Sequence, residues 1–149
     1  MNSASDAPLA EGRDFGLSAE QAMIVDTTRA FVEAELYPHE AEIERSGHLD
    51  MDVVREIQQK AKAAGLWNFF LPNAETGEGL SNLDYAYIAA ELGKSPLASE
   101  SMNCSAPDTG NMEVLERVGT PEQKEKWLKP LLAGEIRSAF VMTEPHVAS

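Results

Sequence analysis

The sequence predicts an all-α domain, a bundle of helices with a single β-strand beginning at its far end. Three observations predict it. Apolar residues recur at helical spacing through most of the chain from Ser18 to Gly134. Most of these stretches open at Ser, Thr or Asp and close at Gly, which is the punctuation of helices. The one run with strand character, Ala139-Phe140-Val141-Met142, follows the last of them and is bounded by Thr143-Glu144-Pro145.

The elements follow in order. Ser18-Ala19-Glu20-Gln21 is a capping box, in which Ser18 accepts from an early amide while Gln21 reaches back. The helix behind it carries Ile24, Val25, Thr28, Phe31, Val32 and Leu36 on one broad face. Pro38 has no amide to donate and predicts a kink, with a further turn or two through Ile43 before Gly47. Asp50 or Asp52 opens a second helix, in which Val53, Val54, Ile57, Ala61 and Ala64 repeat at helical spacing, with Gly65 as a left-handed stop. Leu66 and Trp67 fold back on the core. Pro72, Gly77 and Gly79 make Leu71 to Leu80 the longest loop.

Ser81 caps a third helix through Leu83, Ala86, Tyr87 and Ala90, closed by Gly93. A short, weakly patterned helix covers Leu97 to about Asn103. Pro107 is the expected first residue of the next, with Met112, Leu115 and Val118 inward and Gly119 as its stop. Thr120-Pro121-Glu122-Gln123 is the clearest helix start in the chain: a cap, a proline at the first position and Gln three residues on. Trp127, Leu128, Leu131 and Leu132 then supply a buried stripe up to Gly134. Phe31, Ile57, Leu115, Trp127, Leu128 and Leu131 are expected in one contiguous core.

Pro145 disfavours helix at Glu144 and removes a ladder donor, so the strand ends there and Thr143 presents its hydroxyl beyond it. A strand needs partners, and no other stretch of the chain makes a good one. The expected organisation is therefore the front part of a larger protein. It comprises a flexible tail over 1–16, a helical domain over 17–135, and the first strand and loop of an absent β-domain over 136–149.

Composition narrows the function classes. The 149 residues, 43% of them hydrophobic, suffice for one domain with a real core. A net charge of −13 opposes binding to nucleic acid or to anionic lipid. No apolar run approaches the ~18 residues that span a membrane. Cys104 is the only cysteine, so no intrachain disulfide forms, and a buried, inert thiol in a reducing compartment is expected. His39, His48 and His146 lack ligand spacing, so no metal site is expected. Met1 to Asp14 has neither an apolar core nor an arginine-rich amphipathic pattern. No targeting signal is read there, and the expected location is intracellular, cytoplasmic if the source is bacterial.

A further set of features comes in a distinctive order. It runs from Tyr37-Pro38 to Gly65-Leu66, then through the Pro72…Gly77-x-Gly79 loop before Ser81-x-x-Asp84-Tyr85. It continues with Gly119-Thr120-Pro121-Glu122-Gln123-Lys124, Trp127-Leu128, Leu131-Leu132-Ala133-Gly134-Glu135 and Thr143-Glu144-Pro145 with Ser149 four residues on. Each alone is common. Together they resemble acyl-CoA dehydrogenases over nearly the whole chain from Leu17 onward.

The resemblance implies a three-part FAD enzyme that oxidises the Cα–Cβ bond of an acyl-CoA thioester, as in fatty-acid catabolism, and assembles as a homodimer or homotetramer when full length. It implies that Phe140, Met142 and Thr143 contact the flavin, and that Ser149 approaches cofactor phosphates or the pantetheine arm. It places the proton-abstracting glutamate downstream, so none of these residues is expected to be catalytic and the isolated chain is expected to be inactive. The electron acceptor is not implied. His146-Val147-Ala148 departs from the glycine-containing run of many members, and backbone approach to a phosphate is easiest at glycine. An acyl-CoA oxidase or another flavoenzyme on the same fold is an alternative. So is a free-standing helical interaction module, although such a module has no physical need for Thr143-Glu144-Pro145…Ser149.

Overall fold

The computed structural model of the chain describes residues 17–47, 50–142 and 145–146. The expected tail over 1–16 lies outside the described residues. Helix starts sit where the side-chain caps predict them. Ser18 Oγ accepts from the Gln21 amide at 3.1 Å and Gln21 Oε1 from the Ser18 amide at 2.7 Å, opening α1 (Ala19–Phe31). The chain does not break at Pro38. It widens instead through a π-helical turn, Val32–Leu36, and continues as α2 (Tyr37–Ser46), closed by Gly47 at φ 74°. The missing Pro38 donor is absorbed by a looser turn just ahead of it.

Asp50 accepts from the Asp52 amide at 2.8 Å and opens α3 (Met51–Ala63). Gly65 follows at φ 71°. The loop behind it is not a solvated connector at its start, because Leu66, Phe69, Phe70 and Leu71 are all buried. A Ser81–Asp84 capping box opens α4 (Asn82–Leu92). After α5 (Ala98–Ser101) comes α6 (Asp108–Val118), which starts one residue later than expected, with Pro107 as its flanking residue. The Thr120–Gln123 box opens α7 (Pro121–Gln123), which continues through a second π-helical turn, Lys124–Leu128, into α8 (Lys129–Ala133).

α1 packs on α4, α3 on α5, and α6 on the second π-helical turn and α8. Between them Leu36, Ile57, Leu71, Ile88, Met102 and Met112 are fully enclosed, in one cluster with Phe31, Leu128 and Leu131. The Arg29 guanidinium joins α1 to α4 through both oxygens of the buried Glu91, at 2.9 and 3.2 Å, and Lys94 closes on the same carboxylate at 2.6 Å.

Two core expectations are corrected. Val118 is 76% exposed, Leu115 is half-buried and Met112 is fully buried. Steps of three residues drift about 60° per step around an α-helix, so a Met112–Leu115–Val118 series walks off its own buried face. Trp127 is 46% exposed. It sits roughly a quarter-turn from Leu128 around the axis, and Leu128 takes the inward place at 4% exposure. The indole lies instead beneath the Lys126 ammonium, 4.6 Å from the ring centroid.

Residues 137–142 form neither helix nor strand. The expected strand start is not seen, because among the described residues nothing supplies the ladder partner a strand requires. Helix is the regular secondary structure seen among the described residues, with no strand.

Candidate functional site

The Phe140–Met142 segment leaves the bundle from an exit that two sets of side chains define. The first set caps α8. The last carbonyls of a helix have no partner within it, and here three are met from elsewhere in the chain. Leu131 O accepts from Asn103 Nδ2 at 3.0 Å. Leu132 O accepts from Trp67 Nε1 at 2.7 Å and Asn68 Nδ2 at 3.0 Å. Ala133 O accepts from Lys62 Nζ at 2.6 Å.

Asn103 Nδ2 also donates to Asn68 Oδ1 at 2.7 Å, which ties the two buried amides together. Both asparagines hold left-handed backbone, φ 58° and 55°, a conformation their residue type tolerates. Gly134 turns the chain at φ 72°, and a Cβ there would stand 2.9 Å from Trp67 Cζ2. The Lys62 ammonium lies over the same indole at 4.3 Å. The chain's direction on leaving α8 is set by this group.

The second set grips the next residues. Asp108, 2% exposed at the start of α6, accepts from the Ser138 amide at 2.7 Å, from Ser138 Oγ at 2.5 Å and from Arg137 Nε at 2.5 Å. The other side of the Arg137 guanidinium pairs with Glu100 of α5. Asn111 Nδ2 donates to Ser138 Oγ at 2.8 Å and to Ala139 O at 3.4 Å. Partial burial lowers the Arg137 pKa, and the Asp108 and Glu100 carboxylates more than offset it, so the net shift is upward and the guanidinium stays charged. The first turn of a helix also favours a carboxylate such as Asp108.

Past Ala139 the grip ends. Phe140, Val141 and Met142 are 67%, 86% and 64% exposed. Among the described residues no partner meets their backbone groups. Phe140 and Met142 thus sit on one segment at the edge of the bundle, outside its core. Thr143 and Ser149 lie outside the described residues. Sequence reasoning missed Asp108, Arg137, Glu100 and Asn111. Their only local signal was an acid in the first turn of a helix, and the contacts that matter span 27 to 37 residues.

Elsewhere the chemistry is quiet. Burial pushes the Cys104 thiol up to about 11, which leaves it a small hydrophobe. Among the described residues no group of three or more His, Cys, Asp or Glu converges as metal ligands. No helix there is long and apolar enough to cross a membrane.

The comparisons agree with this architecture. The family model for the acyl-CoA dehydrogenase N-terminal domain matches residues 18–135. Acyl-CoA dehydrogenase family member 10 of Mus musculus is 47% identical over 144 residues, 90% of this chain and 14% of that protein. A Mycobacterium tuberculosis relative named "Probable acyl-CoA dehydrogenase FadE2" is 44% identical over 144 residues, 91% of this chain and 35% of that protein. A solved acyl-CoA dehydrogenase family structure from Mycobacterium abscessus superposes with a TM-score of 0.77 at 46% identity, covering 90% of this chain and 36% of that one. The chain thus spans little more than a third of these relatives at most. With the helical fold, the residue range matched and the identity all in agreement, the chain belongs to the acyl-CoA dehydrogenase family, and residues 18–135 carry that family's N-terminal domain.

Proposed function

We propose that this chain is the N-terminal part of an FAD-dependent acyl-CoA dehydrogenase acting on an acyl-CoA thioester. The observation that carries the reading is the anchored exit. The helical domain delivers Phe140, Val141 and Met142 to its edge with apolar side chains exposed, and among the described residues nothing partners their backbone groups. That edge fits a planar, hydrogen-bonding aromatic ring, which would cover the side chains and satisfy the backbone. Phe140 and Met142 would hold it through apolar surface and main-chain groups, Thr143 through its hydroxyl. Ser149 would reach the phosphates or the pantetheine arm of the thioester.

Bound FAD would supply the electron acceptor for Cα–Cβ oxidation. This chain's own residues then have three tasks: to hold the cofactor edge, to exclude water from one side of it, and to present a wall to the acyl group. Proton abstraction needs a base within hydrogen-bond reach of the substrate, and the reading places it outside these 149 residues. Assembly as a homodimer or homotetramer belongs to the same reading.

The test compares two proteins. The 149-residue chain, mixed with excess FAD and desalted, is expected to retain no stoichiometric flavin, since catalytic geometry needs support to within about 0.5 Å. The polypeptide encoded by reading on past Ser149 is expected to be yellow and to bleach when an acyl-CoA is added. A longer polypeptide that takes up no flavin would overturn the reading.

A further inference from the structure

The Arg137–Ala139 exit is held by side chains of α5 and α6, and it immediately precedes the exposed Phe140–Met142 segment. Asp108 is its centre. The carboxylate stands at the start of α6, where it has helix amides within its own turn to serve. Yet no side-chain cap is made at that helix start, and among the described residues the Asp108 carboxylate accepts its three hydrogen bonds from Arg137 and Ser138. Burying a carboxylate is costly unless it is paired, and an apolar or neutral residue fills such a space at less cost. What the charge adds is register. It takes one guanidinium nitrogen, one backbone amide and one hydroxyl from two successive residues, so the chain can neither slide nor rotate there.

Asn111 extends the hold by one residue, to Ala139 O. An extended chain gains at most about 3.3–3.6 Å per residue. Phe140 is therefore the next residue after a fixed point, and Met142 lies within roughly 11 Å of it. Glu100 holds the far side of Arg137, so α5 and α6 set the exit jointly.

The geometry points to Asp108 as a positioning residue that registers the Phe140–Met142 segment against the flavin, acting through Arg137 and Ser138. This inference rests on the dehydrogenase reading above for the identity of what the segment meets. The clamp itself does not depend on that reading. Asp108 touches neither cofactor nor substrate in this assignment. It sets where the residues that do touch the cofactor emerge.

Two measurements separate the clamp from the reading. The first uses the 149-residue chain and follows amide hydrogen exchange by NMR in the wild type, Asp108→Asn and Asp108→Ala. Asn keeps a neutral acceptor for the Ser138 amide and loses the charge that orders Arg137, so it gives partial rescue. Exchange at Ser138 is expected to rise at least tenfold in Asp108→Ala and by a smaller factor in Asp108→Asn. The α6 amides of Met112 to Leu115 are expected to keep their protection in both. Unchanged exchange at Ser138 in Asp108→Ala overturns the clamp. An equal rise at Ser138 and along α6 reduces Asp108 to a structural residue and overturns it too.

The second uses the flavin-loaded longer polypeptide. Asp108→Asn is expected to lower kcat at least tenfold, to leave KM for the acyl-CoA within about twofold, and to shift the visible flavin bands. An unaltered spectrum with unaltered kcat overturns the positioning role even if the exchange order holds. A longer polypeptide without flavin removes the dehydrogenase reading and the cofactor role with it, whereas the exchange experiment still reports on the clamp.

Discussion

At the scale of single residues, Asn103 shows how much of this fold depends on polar side chains that no local pattern reveals. Its Nδ2 serves both Leu131 O at the end of α8 and Oδ1 of Asn68, and its own backbone is left-handed at φ 55°. A buried acceptor left without a donor costs about 1–3 kcal/mol. Asn103→Ala is therefore expected to lose about 1–3 kcal/mol in a urea titration. Asn103→Gly separates the causes, because glycine accepts a positive φ freely and still removes both hydrogen bonds. A loss of similar size in Asn103→Gly assigns the effect to the bonds, whereas wild-type stability there assigns it to the backbone. Cys104, one residue on, is the counterexample. Its burial followed from its being a lone thiol, a residue type that behaves as a small hydrophobe.

At the scale of elements, what depends on neighbours in sequence was legible and what depends on phase was less so. Thr120, Ser18 and Ser81 all cap the helices their local sequences announce, since a cap involves only the next three residues. Thr120→Ala is expected to cost roughly 0.5–2 kcal/mol, with Thr120→Ser recovering most of it, as read from denaturant midpoints. Equal midpoints for all three proteins would mean that the cap adds nothing. Phase fared worse. Leu128 and Leu131 take the inward positions of the last helix at 4% and 3% exposure, but Trp127 does not join them. The π-helical turn Lys124–Leu128 shifts the register of the face, and no residue pattern announced it. Leu131→Ala is expected to cost on the order of 2–5 kcal/mol. A loss below about 0.5 kcal/mol would place Leu131 outside the core. The candidate site was legible only where it resembles a motif. Phe140 and Met142 could be named, while Asp108 and Arg137, 29 residues apart, form a contact that only the folded bundle creates.

At the scale of the whole molecule, the excess of acid gives weight to the few carboxylates that are buried and paired. The chain carries 25 Asp and Glu against 12 Lys and Arg, so most carboxylates gain little from each other on folding. Glu91 and Asp108 are different, because each is buried and paired, and Glu91 sits between α1 and α4 and takes both Arg29 and Lys94. Burial by itself raises the Glu91 pKa, and the two cations outweigh burial, leaving it below the ordinary glutamate value of 4.5. Asp84 is lowered as well, by the Ser81 and Gln21 hydrogen bonds, and so acts in the same direction. A carboxyl whose folded pKa is depressed binds its proton more readily in the unfolded chain. Its contribution is therefore complete above the unfolded pKa and disappears as pH falls through the folded one. Glu91→Gln removes the charge and keeps the shape. It is expected to cost on the order of 1–3 kcal/mol at pH 7, toward the lower end because Arg29 is partly exposed. The difference between wild type and Glu91→Gln is expected to stay constant from about pH 6 to 8 and to shrink once pH falls below about 4.5. Urea midpoints across that range measure it directly. A difference that persisted undiminished to about pH 3, below the ordinary carboxylate range, would show that the loss in Glu91→Gln does not come from the charge of the Arg29–Glu91–Lys94 junction.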